Sequence, residues 1–134
     1  MTYDTVEAIR SWPVNDGGWH VDPETNRWIM LGNDVTLGNG VTLGNWVTLG
    51  NGVTLPSVNI AGYIANPYAP GSIRIGCEIH TVKEWRRTAK AIAAKHYIEA
   101  EQVPAMLTQL NWLAGWFEVY PNAMTKTVKE GSGR

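Results

Sequence analysis

Four consecutive six-residue units constrain this chain more than any other feature: Leu31-Gly-Asn-Asp-Val-Thr36, Leu37-Gly-Asn-Gly-Val-Thr42, Leu43-Gly-Asn-Trp-Val-Thr48 and Leu49-Gly-Asn-Gly-Val-Thr54. A short fixed period is the mark of a solenoid. Across each boundary Val and Leu stand two apart with one Thr between them, as in Val35/Leu37 and Val41/Leu43. That is the period of a strand with Val and Leu inward and Thr outward. Gly-Asn-x must then turn the chain, because Gly, and less readily Asn, adopts positive φ. Each unit is one short strand and one corner.

The units resemble the hexapeptide repeat of left-handed parallel β-helices. The resemblance implies about 18 residues per coil, three hexads to a turn, with coils stacked at roughly the 4.8 Å strand spacing. The implied fold is mainly β with C-terminal helices. Residues 1–30 form an N-terminal cap of a short helix plus hairpin, 31–80 a β-helix of two to three coils, 81–120 a helical hairpin, and 121–134 a tail.

The flanking segments fit this plan. Asp4 or Thr5 with Glu7 has the form of a capping box for a helix to about Ser11, which Pro13 ends. Trp19–Val21 and Arg27–Met30 read as two strands about a Pro/Asn turn, closing one end of the solenoid. Ile60-Ala-Gly-Tyr-Ile-Ala65 and Ile73–His80 read as further hexads around a Pro-rich excursion at 66–71. Thr81 with Glu84 opens a helix to about His96, and Pro104 sits in the first turn of a second, apolar most of the way round. That second helix is expected to pack on the solenoid and on another subunit. The last coil and the Glu84-Trp85 helix also resemble, more loosely, small uncharacterised proteins of phage and prophage genomes.

Charge is divided unevenly. Residues 1–70 carry two basic and six acidic side chains, whereas residues 71–134 carry nine basic and six acidic. The overall net charge of −1 argues against a nucleic-acid coat, and no run is long and apolar enough for a membrane span. With a single cysteine, Cys77, no internal disulfide forms, and a reducing, cytoplasmic setting is expected. His20, His80, His96 and Cys77 lack the close spacing of a zinc site, so no metal and no cofactor are expected.

Two constellations stand out. Trp28 and Trp46 are one coil apart, and Tyr63 follows after a one-residue shift, so the three should stack along one edge. Such an edge suits a flat ligand or a partner subunit. Arg74, Arg86, Arg87 and Lys90, with Trp46 or Trp85, should cluster where solenoid meets helix and hold a phosphate-bearing ligand.

The expectation is therefore a non-catalytic homotrimer whose inter-subunit clefts bind a small anionic, nucleotide-like ligand. For a phage-encoded chain, the looser resemblance implies capture of a host signal or blockade of a host defence protein. Hexapeptide proteins are commonly homotrimers and many are acyltransferases, which makes His80 the general base of an alternative, enzymatic reading. A third reading is a structural or protein-binding trimer.

Overall fold

Residues 3–126 are described by the computed structural model. Thr5 accepts a hydrogen bond from the Ala8 amide at 3.0 Å and opens α1 (Val6–Ser11), which buries Ile9. A hairpin follows, β1 (His20–Val21) antiparallel to β2 (Trp28–Leu31). Its loop is shaped by Asp22, whose carboxylate accepts from the Glu24 amide and the Thr25 hydroxyl.

The hexads form two stacked turns of chain. β2 pairs in parallel with β4 (Val47–Leu49), Ile29 opposite Val47 and Leu31 opposite Leu49. β3 (Thr36–Leu37) pairs in parallel with β5 (Thr54–Leu55), Thr36 opposite Thr54. The offset between partners is the 18 residues of three hexads, as in the bond from the Asn33 amide to Asn51 Oδ1 at 2.7 Å. Val35, Val41, Leu43, Val47, Leu49 and Leu55 point into the core, while Thr36 and Thr54 face outward.

The corners explain the remaining letters of the repeat. The residue after each Asn takes positive φ: Asp34 at 59°, Gly40 at 75°, Trp46 at 64° and Gly52 at 72°. Each Asn45 and Asn51 side chain accepts an amide of the neighbouring turn, that of Trp28 or Asn33, both at 2.7 Å. Gly32 has no room for a side chain, since a Cβ there would lie 2.5 Å from the Asn51 nitrogen.

Beyond Pro56 the stacked turns do not continue. The expected hexads at 60–65 and 73–80 are instead arms of an antiparallel meander, β6 (Val58–Ile60), β7 (Tyr63–Ala69), β8 (Ser72–Ile75) and β9 (Glu78–Thr81). Ala61 and Gly62 both have positive φ, 51° and 89°, which makes them a two-residue hairpin turn rather than a repeat corner. The meander still closes the third side of the lower turn. Gly44 donates to the Tyr68 carbonyl at 2.8 Å, and Asn66 Nδ2 to the Thr42 carbonyl at 3.0 Å.

Thr81 and Glu84 make the expected capping box at the start of α2 (Val82–Lys95). A single 3-10 turn, Ala100–Gln102, leads into α3 (Val103–Val119). Trp85, Ala89 and Ala93 of α2 and Met106, Leu110 and Leu113 of α3 share a second core with Ile60, Ala65, Ile73 and Ile75 of the meander. The segment expected as tail instead returns as β10 (Met124–Lys126), antiparallel to β4, so one sheet runs β1-β2-β4-β10. Residues 127–134 of that tail lie outside the described residues. No described helix is long and apolar enough to cross a membrane.

Candidate functional site

The aromatic edge forms in part. The rings of Trp28 and Trp46 lie 4.5 Å apart, tilted by 34°. Trp19, which sequence spacing did not single out, joins them at 6.3 and 5.5 Å because the β1–β2 hairpin folds it across. Tyr63 does not belong to this column. It begins the β7 arm and meets the His96 ring at 6.0 Å, a consequence of the hairpin at residues 61–62. Trp46 holds its place at a positive φ of 64°, a conformation unusual for a bulky side chain.

Within the chain the residues of the expected anion pocket do not come together, because Arg74, Trp85 and Trp46 have partners elsewhere in the fold. Arg74 is buried, and its guanidinium donates to Asn66 Oδ1 at 3.1 Å and to the carbonyls of Gly76 and Gly40 at 2.8 and 2.6 Å. Burial also lowers its pKa from the ordinary value. Trp85 is fully buried and donates its indole N–H to the Ile73 carbonyl at 2.8 Å. Trp46 belongs to the Trp19–Trp28 group. Only Arg86, Arg87 and Lys90, with Lys83, remain exposed, in a single stripe along α2.

His80 also has a structural partner. Its Nε2 lies 2.9 Å from Glu78 Oε1, and its ring stands edge-on to Trp85 at 4.9 Å. Glu78 Oε2 meets His96 Nε2 at 2.8 Å and Lys95 Nζ at 3.0 Å. Hydrogen bonds from His96, then His80 and Lys95, hold the Glu78 carboxyl down at about 2. This cluster ties β9 to the end of α2. Cys77 is exposed, and among the described residues no three His, Cys, Asp or Glu side chains are placed to hold a metal. A second ionic knot fastens the N-terminal cap. Arg27 bridges Asp4 and Asp22 at 2.8 Å each and donates to the Leu43 carbonyl at 2.8 Å. Burial pushes the Asp22 carboxyl up, but hydrogen bonds from Arg27, the Glu24 amide and Thr25 hold it below its usual range.

An open groove of about 700 Å³ lies elsewhere, beneath the lower turn. Its floor is the corner Gly50–Gly52 with Val53, Thr54 and Pro56 of the β5 edge, and its wall is Trp112, Trp116 and Tyr120. The chain builds it by leaving α3 at Tyr120, turning at Pro121–Ala123 and re-entering beside β4, where Gly50 donates to the Ala123 carbonyl at 3.0 Å. Trp116 anchors the wall, 8% exposed, with Phe117 at 5.5 Å and Tyr120 at 6.1 Å. Trp112 and Tyr120 present more than half of their surface, 57% and 55%. Among the described residues the lining carries no carboxylate, imidazole, ammonium or guanidinium. The volume lies within the usual range of ligand sites, and the surfaces on offer are aromatic faces and amide groups. Trp112 and Trp116 stand four apart in sequence, on one helix face, but nothing local joins them to the distant corner at Gly50–Gly52. Comparison with protein-family models, curated proteins and solved structures returns no match.

Proposed function

We propose that this chain is a non-catalytic binding protein whose working surface is the aromatic groove beneath its lower turn. The observation that carries the reading is the groove's lining, three aromatic rings over a corner of backbone amides with, among the described residues, no carboxylate, imidazole or fixed charge. Such a surface holds apolar or flat groups and does not move protons. The nucleotide pocket expected from Arg74 and Trp85 is not part of the proposal, since both side chains are buried in the fold.

In this reading the stacked turns are those of a short left-handed parallel β-helix of the hexapeptide class. The 18-residue strand offsets and the positive φ recurring at Asp34, Gly40, Trp46 and Gly52 support it. Hexapeptide proteins are commonly trimers, and the exposed Thr36–Thr54 pair supports a homotrimer built on that flat face. The looser resemblance to phage-genome proteins points the search for a partner toward host proteins in the cytoplasm.

Nile red, a neutral apolar dye, tests the groove. It should bind the full chain at one site per protomer and be lost in Asn122→Trp, where an exposed turn residue becomes a plug. Absence of binding, or binding unchanged by the plug, would overturn the reading. Sedimentation equilibrium tests the trimer, and a monomer at working concentration refutes that part.

A further inference from the structure

We infer that the occupant of the groove is a linear segment of a partner protein that joins an apolar anchor, a proline or an aromatic residue, to an acidic flank. This rests on the proposed role of the groove and adds the chemistry of what fills it.

Three observations meet on α3. Trp112 stands on the rim of the groove, and Val119, one turn beyond Gly115, is 67% exposed. Between them Gly115 sits inside the unbroken helix, where Ala would be about 1 kcal/mol more favourable. Among the described residues nothing requires it, since a Cβ there would meet no atom within 4 Å. The glycine thus leaves a notch in an apolar crest, open to a crossing backbone.

The other side of the crest is charged. Arg86 on α2 reaches Asn111 Oδ1 at 3.0 Å, which places the basic stripe directly beside α3. Lys83, Arg86, Arg87 and Lys90, at i, i+3, i+4 and i+7, share one exposed helix face, and none forms an ion pair among the described residues. A partner leaving the groove over Gly115 arrives at these four cations, of which only Arg87 has a carboxylate of its own helix, Glu84, close by. Charge complementarity selects an acidic flank there.

The same arrangement disfavours single-stranded nucleic acid. A nucleic acid carries a phosphate at every base, so its aromatic platforms must be interleaved with cations. Here the aromatic lining is uncharged and the cations lie apart on a different helix. A polypeptide, whose apolar and acidic residues can be segregated, fits that division.

The test is to pan a displayed library of random dodecapeptides on the full chain, then to titrate synthetic versions of the recovered peptides by fluorescence anisotropy. Recovered sequences should pair Asp or Glu with Pro or an aromatic residue. Affinity should fall about tenfold or more in Trp112→Ala and in Arg86→Glu/Arg87→Glu, all exposed positions. Peptides without acidic residues that depend on Trp112 alone overturn this inference and leave the groove reading standing. Peptides indifferent to both Trp112→Ala and Asn122→Trp overturn both. Recovery of no peptide, or tighter binding of an oligothymidylate in the same assay, overturns the peptide assignment, while the Nile red result judges the groove by itself.

Discussion

Gly32 and Gly50 occupy the same letter of the repeat, yet alanine should affect them in opposite directions. Neither has positive φ, so backbone conformation does not separate them. Packing does. A Cβ on Gly32 would sit 2.5 Å from the Asn51 nitrogen and 2.7 Å from the Gly50 carbonyl carbon, atoms of the turn stacked below. A Cβ on Gly50 would find its nearest neighbour, the Asn122 carbonyl, at 3.7 Å, because the chain below it is a loose turn rather than a third coil. Overpacking against backbone costs about 1–3 kcal/mol or more, since neither turn can move without breaking its parallel bonds. Gly50→Ala meets no clash and restricts the unfolded chain, worth about 0.4–1 kcal/mol in the stabilising direction. The two variants should therefore differ by about 2–4 kcal/mol, on the order of 10 °C in Tm. Urea titration followed by far-UV circular dichroism measures the difference. If Gly32→Ala lies within about 0.5 kcal/mol of Gly50→Ala, the turns are not stacked with the register described.

Arg27→Ala should cost about 3–5 kcal/mol in the same urea assay, because it strands Asp4 and Asp22, whose side chains are only 3% and 9% exposed. A loss below about 1 kcal/mol would refute a buried ionic role for Arg27. Glu78, lowered from 4.5 to about 2, contributes stability that is complete above its ordinary value and lost as pH falls through about 2. The stability gap between the parent chain and Glu78→Gln should thus widen from acid pH and level off above the carboxylate range; parallel pH profiles would refute the cluster. Trp46→Gly relieves a strained φ but removes contacts with two indoles, so it should destabilise by about 1–2 kcal/mol and collapse the near-UV dichroism of the coupled rings. A more stable variant would show that the aromatic group contributes nothing to the fold.

What sequence reveals here follows how local each cause is. The 18-residue stacking is legible because Val, Leu and Gly-Asn repeat with it, and the Trp28–Trp46 contact follows from the same count. The capping box of α2 is equally local, whereas α1 keeps only the Thr5 cap and not the expected box with Glu7. Ile60-Ala-Gly-Tyr-Ile-Ala65 keeps the spelling of a hexad, however, and the difference between a corner and a hairpin rests on Ala61 adopting a φ that alanine seldom takes. Arg74 and Trp85 look like ligand residues by type. Only the long-range placement of Asn66, Gly40 and the Ile73 carbonyl shows that the fold has already satisfied them. The groove was hidden for a related reason: its floor and wall meet through the turn at Pro121–Ala123, which has no repeat and no periodicity to announce it.

The closure of the β1-β2-β4-β10 sheet by an antiparallel strand at each edge sets a rule for how this chain can change in length. A single added hexad would advance the path by one third of the eighteen-residue offset, so the chain would reach β6 and the helices facing the wrong way. Adding three would bring it back to its original heading, one storey lower, with a fresh edge for β10 to seal. Growth and shrinkage are thus quantised in whole turns of eighteen residues, even though the unit written in the sequence is six.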